Sequence, residues 1–229
     1  MLRAILFDLD GTLADTERQC AESVARALAR LGRAVTQAER DYVIGHGWNE
    51  IYAELARTAP VPVDQVALVA LAGTERERLV EEQGLTILPG AVELLRAAAG
   101  QMAVAVVSGS SRAEIAACLR SLDVHTLVPR FVGAEDVPRG KPAPDGYLLG
   151  AKHLGVAPHE VLVIEDSNAG VAAGIAAGMT VVASRAGNFA GQDQSAAHLV
   201  VQSLAEIDLA RLSELHEATQ IAYRTARET

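Results

Sequence analysis

The stretch that decides the fold is Ala4-Ile5-Leu6-Phe7, followed at once by Asp8-Leu9-Asp10-Gly11-Thr12. Four apolar residues without polar alternation read as a strand buried on both faces, as in a parallel sheet covered by helices. The acids come where that strand ends. Ligands of open parallel sheets bind at the carboxyl ends of the strands, so Asp8 and Asp10 are expected to project into a crevice. Two carboxylates two residues apart can divide a group transfer, one attacking and ligating a metal while the other moves protons. A solvated Asp-Gly turn accounts for the same residues without any chemistry.

Working outward, similar apolar runs occur at 103–107, 130–132, 161–164 and 180–183, and the last four runs are separated by helical patterns and short loops. The expectation is an α/β fold with a doubly wound, Rossmann-like parallel sheet. About 95 residues lie between the first two strands, far more than a crossover helix needs, so a second domain is expected there. The predicted division is a core of 1–14 and 88–229 with an all-helical insert at 15–87. Ala21, Val24, Leu28 and Leu31 share one face of a first helix, and Gly32 follows at its end. Further helices are expected over 36–43, 48–57 and 63–83, with Pro60 and Pro62 between the last two. Segments 12–15 and 84–90, the latter rich in glycine, read as hinges. The tail from 204 to 229 reads as helix without chemistry.

Composition narrows the function. Twenty basic against 29 acidic residues give a formal charge of -9 with no basic block, which argues against nucleic acid or an anionic membrane as partner. No apolar run approaches the ~20 residues that span a bilayer, and the first ten residues lack a signal-peptide pattern. A cytoplasmic, monomeric protein is expected. Two cysteines, Cys20 and Cys118, are too few for a disulfide framework or an ordinary zinc site and read as small buried hydrophobes. With so acidic a chain, an anionic substrate needs a metal or a few placed cations, and the only lysines are Lys141 and Lys152.

Three further segments carry polar groups that could meet such a substrate. Ser108-Gly109-Ser110-Ser111-Arg112 follows the second strand and opens a helix, the arrangement of a phosphate cradle or of a plain N-cap. Gly140-Lys141-Pro142-Ala143-Pro144 places a lysine in a proline-fixed loop, where it could hold its ammonium against an anion or simply face solvent. Glu165-Asp166-Ser167-Asn168-Ala169-Gly170 follows another strand. Its acids would supply oxygen ligands for Mg²⁺, or serve as helix-start acids.

Taken in order, DLDGT at 8–12, Ser108, Lys141 and EDSNAG at 165–170 resemble the four motifs of the haloacid dehalogenase-like hydrolases. The resemblance spans the core, and the insert falls where one class of that superfamily carries a helical cap. It implies Asp8 as nucleophile, Asp10 as acid and base, and Ser108 and Lys141 on the phosphoryl group. It also implies Mg²⁺ held by Asp8, the Asp10 backbone carbonyl, Asp166 and Glu165. The expected substrate is a small phosphorylated metabolite, with Gly11, Thr12, Thr16, Gly109, Ser110, Arg112, Ser167 and Asn168 as binding residues. In the cap loop 45–50, His46, Trp48 and Asn49 are candidates for recognition, with Trp48 equally readable as cap core.

Within the superfamily, dehalogenases lack the second aspartate, which is present here as Asp10. Phosphonate-cleaving relatives use a cap lysine, and 15–87 contains none. β-Phosphoglucomutase-like proteins match best in layout, yet they add a histidine, an arginine and a lysine where this chain has Cys20, Trp48 and Ser111. A phosphatase working through an aspartyl phosphate is therefore expected, with a mutase or a catalytically silent relative as alternatives.

Overall fold

In the computed structural model, which describes residues 1–228, the core is a six-stranded parallel sheet in the order β3-β2-β1-β4-β5-β6. The strands are β1 (Ala4–Phe7), β2 (Ala103–Val107), β3 (Phe131–Val132), β4 (Val161–Glu165), β5 (Thr180–Ser184) and β6 (Leu199–Val201). This is the doubly wound order, in which the chain reverses direction across the sheet between β1 and β4. Ile5 pairs in register with Val104 on one side and Leu162 on the other, so β1 is central and its side chains are fully buried. That explains the absence of polar alternation in its sequence. Helices α5 (Ala91–Ala99), α6 (Arg112–Ser121), α7 (Asp145–Leu154), α8 (Asn168–Ala176) and α9 (Leu209–Glu228) belong to the same unit.

β3 starts and β5 ends one residue later than expected, and two further strands differ in ways that matter more. β4 continues to Glu165, which is fully buried in the sheet instead of lying past its end. β6 was not anticipated: it is an edge strand of three residues, paired only to β5, and so short a run has no readable period.

The described residues divide into two compact units, 1–14 with 87–228, and Asp15–Thr86. The second is built from α1 (Thr16–Arg30), α2 (Gln37–Val43), α3 (Trp48–Thr58) and α4 (Gln65–Gln83). Val24, Leu28, Ile51, Leu55 and Leu68 form its core. Asp15 caps α1 by accepting from the Arg18 N–H at 3.1 Å. The two passages of chain that lead into this unit run side by side: Ala14 bridges Ile87 and the Asp15 N–H donates to the Thr86 carbonyl at 2.9 Å. Of the two cysteines, Cys118 is buried, while Cys20 is only half-buried against the insert core.

Candidate active site

Three strand ends bring the polar residues of the core together. The Asp8 N–H donates to the Ile164 carbonyl at 2.9 Å and the Ser108 N–H to the Val132 carbonyl at 3.0 Å, so each residue extends the sheet pairing by one step before the chain leaves it. One oxygen from each of Asp8, Glu165 and Asp166 lies within 4.8 Å of the others, and all three residues are buried. Burying three carboxylates together is costly unless cations or donors compensate. Lys141 does part of this. Its ammonium donates to Asp8 Oδ1 and, at 2.6 Å, to Glu165 Oε1.

The two carboxylates that share Lys141 are otherwise treated differently. Glu165 Oε1 also accepts from the Tyr147 hydroxyl at 2.8 Å, and Oε2 accepts the Asp166 N–H, the Ser167 N–H and the Ser167 hydroxyl at 2.8 to 3.0 Å. Burial alone would raise its pKa, but Lys141 and these donors outweigh burial and hold Glu165 below the usual carboxylate range. Asp8 has no such set. Its Oδ2 is buried without a hydrogen-bond partner, and burial, opposed by Lys141 but reinforced by Glu165 and Asp10, pushes Asp8 up to about 8. Lys141 feels burial as a force toward neutrality, yet the two carboxylates overcome it and keep the ammonium charged. Burial and the Glu165 charge keep the Tyr147 phenol protonated, and hence a donor.

Asp10 turns the other way. Its Oδ2 accepts from the Ser108 hydroxyl and the Ser110 hydroxyl, each at 2.7 Å, and the Ser110 N–H donates to Ser108 Oγ at 2.9 Å. Thr12 donates its hydroxyl to Asp166 Oδ1 at 3.2 Å. Two glycines make this crowding feasible. A Cβ on Gly11, which also has φ +82°, would overlap the Asp166 carboxylate, and one on Gly170 would overlap that of Glu165.

Asp8, Asp10, Gly11, Thr12, Ser108, Ser110, Lys141, Glu165 and Asp166 are therefore neighbours, with Gly109 open beside Ser108. Other predicted residues are engaged elsewhere. Arg112 pairs with Asp136 at 2.6 Å and lies 4.7 Å from the Phe131 ring centroid. Ser167, by contrast, stays with the cluster through its two hydrogen bonds to Glu165 Oε2 and also caps α8, accepting from the Gly170 N–H at 3.0 Å. Asn168 binds Gln192 and the Asp193 carbonyl. In the insert, Thr16 is the buried first residue of α1, His46 stacks on Tyr42 with ring centroids 4.0 Å apart, Asn49 accepts from Gln65 at 2.7 Å, and Trp48 packs half-buried against the local core. One residue that sequence reasoning missed is Tyr147, fully buried in the first turn of α7.

The donor set suits a hard divalent cation. Asp8, Glu165 and Asp166 offer only oxygens, and among the described residues Lys141 is the one ammonium on Asp8 and Glu165, a single positive charge for three buried carboxyl groups.

A model of the family described as haloacid dehalogenase-like hydrolase matches residues 2–178. The chain belongs to that family. It is 36% identical over 198 residues to hexitol phosphatase A of Escherichia coli (strain K12), covering 80% of this chain and 83% of the relative. Protein CbbY of Rhodobacter capsulatus is 30% identical over 224 residues, covering 93% and 99%. Among solved structures, a CbbY variant from Rhodobacter sphaeroides in complex with xylulose-(1,5)bisphosphate superposes with a TM-score of 0.79 at 26% identity, covering 93% of this chain and 99% of that one. Among the described residues no helix is long and apolar enough to cross a membrane.

Proposed function

We propose that this family member is a Mg²⁺-dependent phosphatase of small phosphate monoesters, with a phosphorylated sugar or polyol as the substrate class. The observation that carries the reading is the state of Asp8: buried, one oxygen held by Lys141 and the other with no partner, at the centre of an oxygen-lined cluster. The charge of a bound Mg²⁺ would lower the Asp8 pKa and keep it ionised, and a carboxylate fixed through one oxygen presents the other for attack.

In this reading Asp8 Oδ2 bonds to phosphorus and the alcohol leaves, protonated by Asp10, to give an aspartyl phosphate. Asp10 then takes a proton from water, which attacks phosphorus and frees Asp8. Ser108 and Ser110 orient Asp10 through the hydrogen bonds they already donate to it, and Ser108 turns to the phosphoryl oxygens when these enter. Lys141 balances charge on Asp8 and on the transferring group. Mg²⁺, held by Asp8, Asp166 and the Asp10 carbonyl, would supply charge neutralisation at the phosphoryl oxygens. We assign Glu165, whose oxygens already accept five donors, to holding Lys141 in place and not to direct ligation. The segment His46 to Asn49 is the proposed determinant of which ester is accepted.

Hydrolysis is favoured over a mutase by the groups at three positions. Cys20 and Trp48 carry no charge, and the Ser111 hydroxyl is committed as the N-cap of α6. A mutase must grip the second phosphate of a bisphosphate, and these residues offer no cation for it. A monomeric cytoplasmic enzyme completes the reading. The test is release of inorganic phosphate from p-nitrophenyl phosphate and from hexitol and sugar phosphates, with Mg²⁺ and with EDTA. Turnover that needs Mg²⁺ and gives phosphate is expected. Full turnover in EDTA would refute the metal dependence, and glucose 6-phosphate formed from β-glucose 1-phosphate would make it a mutase.

A further inference from the structure

The loop that follows β5 touches the cluster at two places, although it belongs to none of the four motifs. Gln194 is 4% exposed, and its carboxamide donates to the backbone carbonyls of Asp166 and, at 2.8 Å, of Ser184. Asp166 is thereby fixed at both ends of its backbone, since its N–H donates to Glu165 Oε2 at 2.8 Å. At the second place the contact is backbone on backbone: a Cβ on Gly187 would overlap the Gly11 carbonyl. Gly11 is thus closed in by Gly187 and by the Asp166 carboxylate. The rest of the loop is tied down as well. Asn168 N–H donates to Gln192 Oε1 at 2.9 Å, and Asn188 exchanges two hydrogen bonds of 2.7 Å with Gln192.

We propose that the 185–195 loop is a fifth component of the site and that Gln194 is a positioning residue that sets the affinity of Asp166 for the divalent cation. The inference rests on Asp166 being a metal ligand, as assigned above. A carboxylate ligand binds well only when its backbone cannot turn, because the cation tolerates little misplacement of its oxygens. Thr12 donates to the side chain of Asp166 at 3.2 Å. Gln194 holds the residue from the carbonyl side, and it does so by joining two neighbouring strands, since Ser184 ends β5 and Asp166 follows β4. A polar side chain this buried could simply satisfy two carbonyls, a role that would affect folding stability and leave metal affinity alone.

Calorimetric titration of Mg²⁺ into the full-length protein, without substrate, separates these roles. Gln194→Met keeps length and volume while removing both donors. Asn188→Ala loosens the loop from a half-buried position, so it reports even where Gln194→Met fails to fold. Relative to the parent protein, the Mg²⁺ dissociation constant should rise about tenfold in Gln194→Met and several-fold in Asn188→Ala. At saturating Mg²⁺, KM for p-nitrophenyl phosphate should stay within about twofold of the parent value. A Mg²⁺ dissociation constant within twofold of parent in the folded variants, with binding lost in Asp166→Ala, would overturn the role of Gln194 and leave the metal assignment standing. Unchanged binding in Asp166→Ala would instead remove the metal assignment itself, and this inference with it.

Discussion

Glu39 in the insert and Asp8 in the core are both buried carboxylates joined to an enclosed cation, and their surroundings treat them in opposite ways. Glu39 accepts from Arg33 at 2.7 Å, from the Thr36 N–H at 2.8 Å, from the Thr36 hydroxyl at 3.0 Å and from the Thr58 hydroxyl. Burial would raise its pKa, but these donors outweigh burial and bring it down to about 2. Asp8 has one cation on one oxygen and nothing on the other, and it is pushed up to about 8. The residue types are similar and both are 5% exposed, but Asp8 sits deeper in protein than Glu39, so burial pushes it harder. What separates a carboxylate that holds a fold from one that is free to react is the number of donors set against its depth of burial.

The largest effect should come from changing the deficient carboxylate. Asp8→Asn replaces a nucleophile with a neutral amide, and turnover of p-nitrophenyl phosphate should fall by about 10⁴-fold or more. The same change should flatten a stability slope. A carboxyl whose folded pKa lies above its unfolded value of 3.8 favours the folded state at low pH, and that contribution disappears as pH rises through about 8. Melting temperatures of the metal-free protein should therefore fall between pH 4 and 8 through Asp8, and fall less in Asp8→Asn. Retention of more than a few per cent of activity would end the case for Asp8 as nucleophile.

A smaller loss is expected from Lys141→Arg. One ammonium donates to both Asp8 and Glu165 and sits 5.1 Å from the Tyr147 ring centroid, a pocket shaped for a compact charge. A planar guanidinium keeps the charge but needs more room and spreads its donors. The rate should drop by about 10² to 10³. Near-normal kinetics would show that charge alone matters there and that the contrast with Glu39, whose donors are fixed individually, has been overdrawn.

How much of this was legible in the sequence depended on whether a residue belongs to a recognisable run or motif, since Asp8 and Lys141 were read although 133 residues separate them. β1, β2, β4 and β5 could be read because burial on both faces leaves an unbroken apolar run, Asp8, Asp10, Ser108 and Asp166 because they follow those runs, and Lys141 because lysine is scarce and its loop is fixed by proline. Glu165 was misplaced by one step, since a charged residue normally marks a strand's end and here it is buried under five donors. Arg112 looked like a phosphate ligand from its place beside Ser108, yet its guanidinium reaches Asp136, 24 residues on. Tyr147 and Gln194 act through single side chains from outside any motif, Gln194 across 28 residues. The one faint signal for Tyr147 was an aromatic residue just after the Lys-Pro loop in a chain with 3% aromatics.

The smallest effect on catalysis, and the sharpest test of the comparison, is Glu39→Gln. The amide keeps the size and one acceptor but loses the charge that Arg33, Thr36 and Thr58 were arranged around, and Arg33 already has two buried nitrogens, Nε and Nη1, without partners. A carboxylate whose folded pKa is about 2 against an ordinary 4.5 contributes stability that is fully present above pH 4.5 and lost as pH falls through 2. Discounted for solvent screening, the loss of this charge should cost about 1 kcal/mol at pH 7, lowering the melting temperature by roughly 2–4 °C. The acid limb of stability should be shallower in Glu39→Gln, because there is no longer a carboxylate to protonate. Turnover of p-nitrophenyl phosphate at 25 °C should stay within about twofold, since this acid–base pair belongs to the insert and contributes no group to the Asp8 cluster. A tenfold loss of turnover at unchanged melting temperature would mean that the saturated carboxylate is as much a part of the chemistry as the deficient one, and donor count would no longer tell them apart.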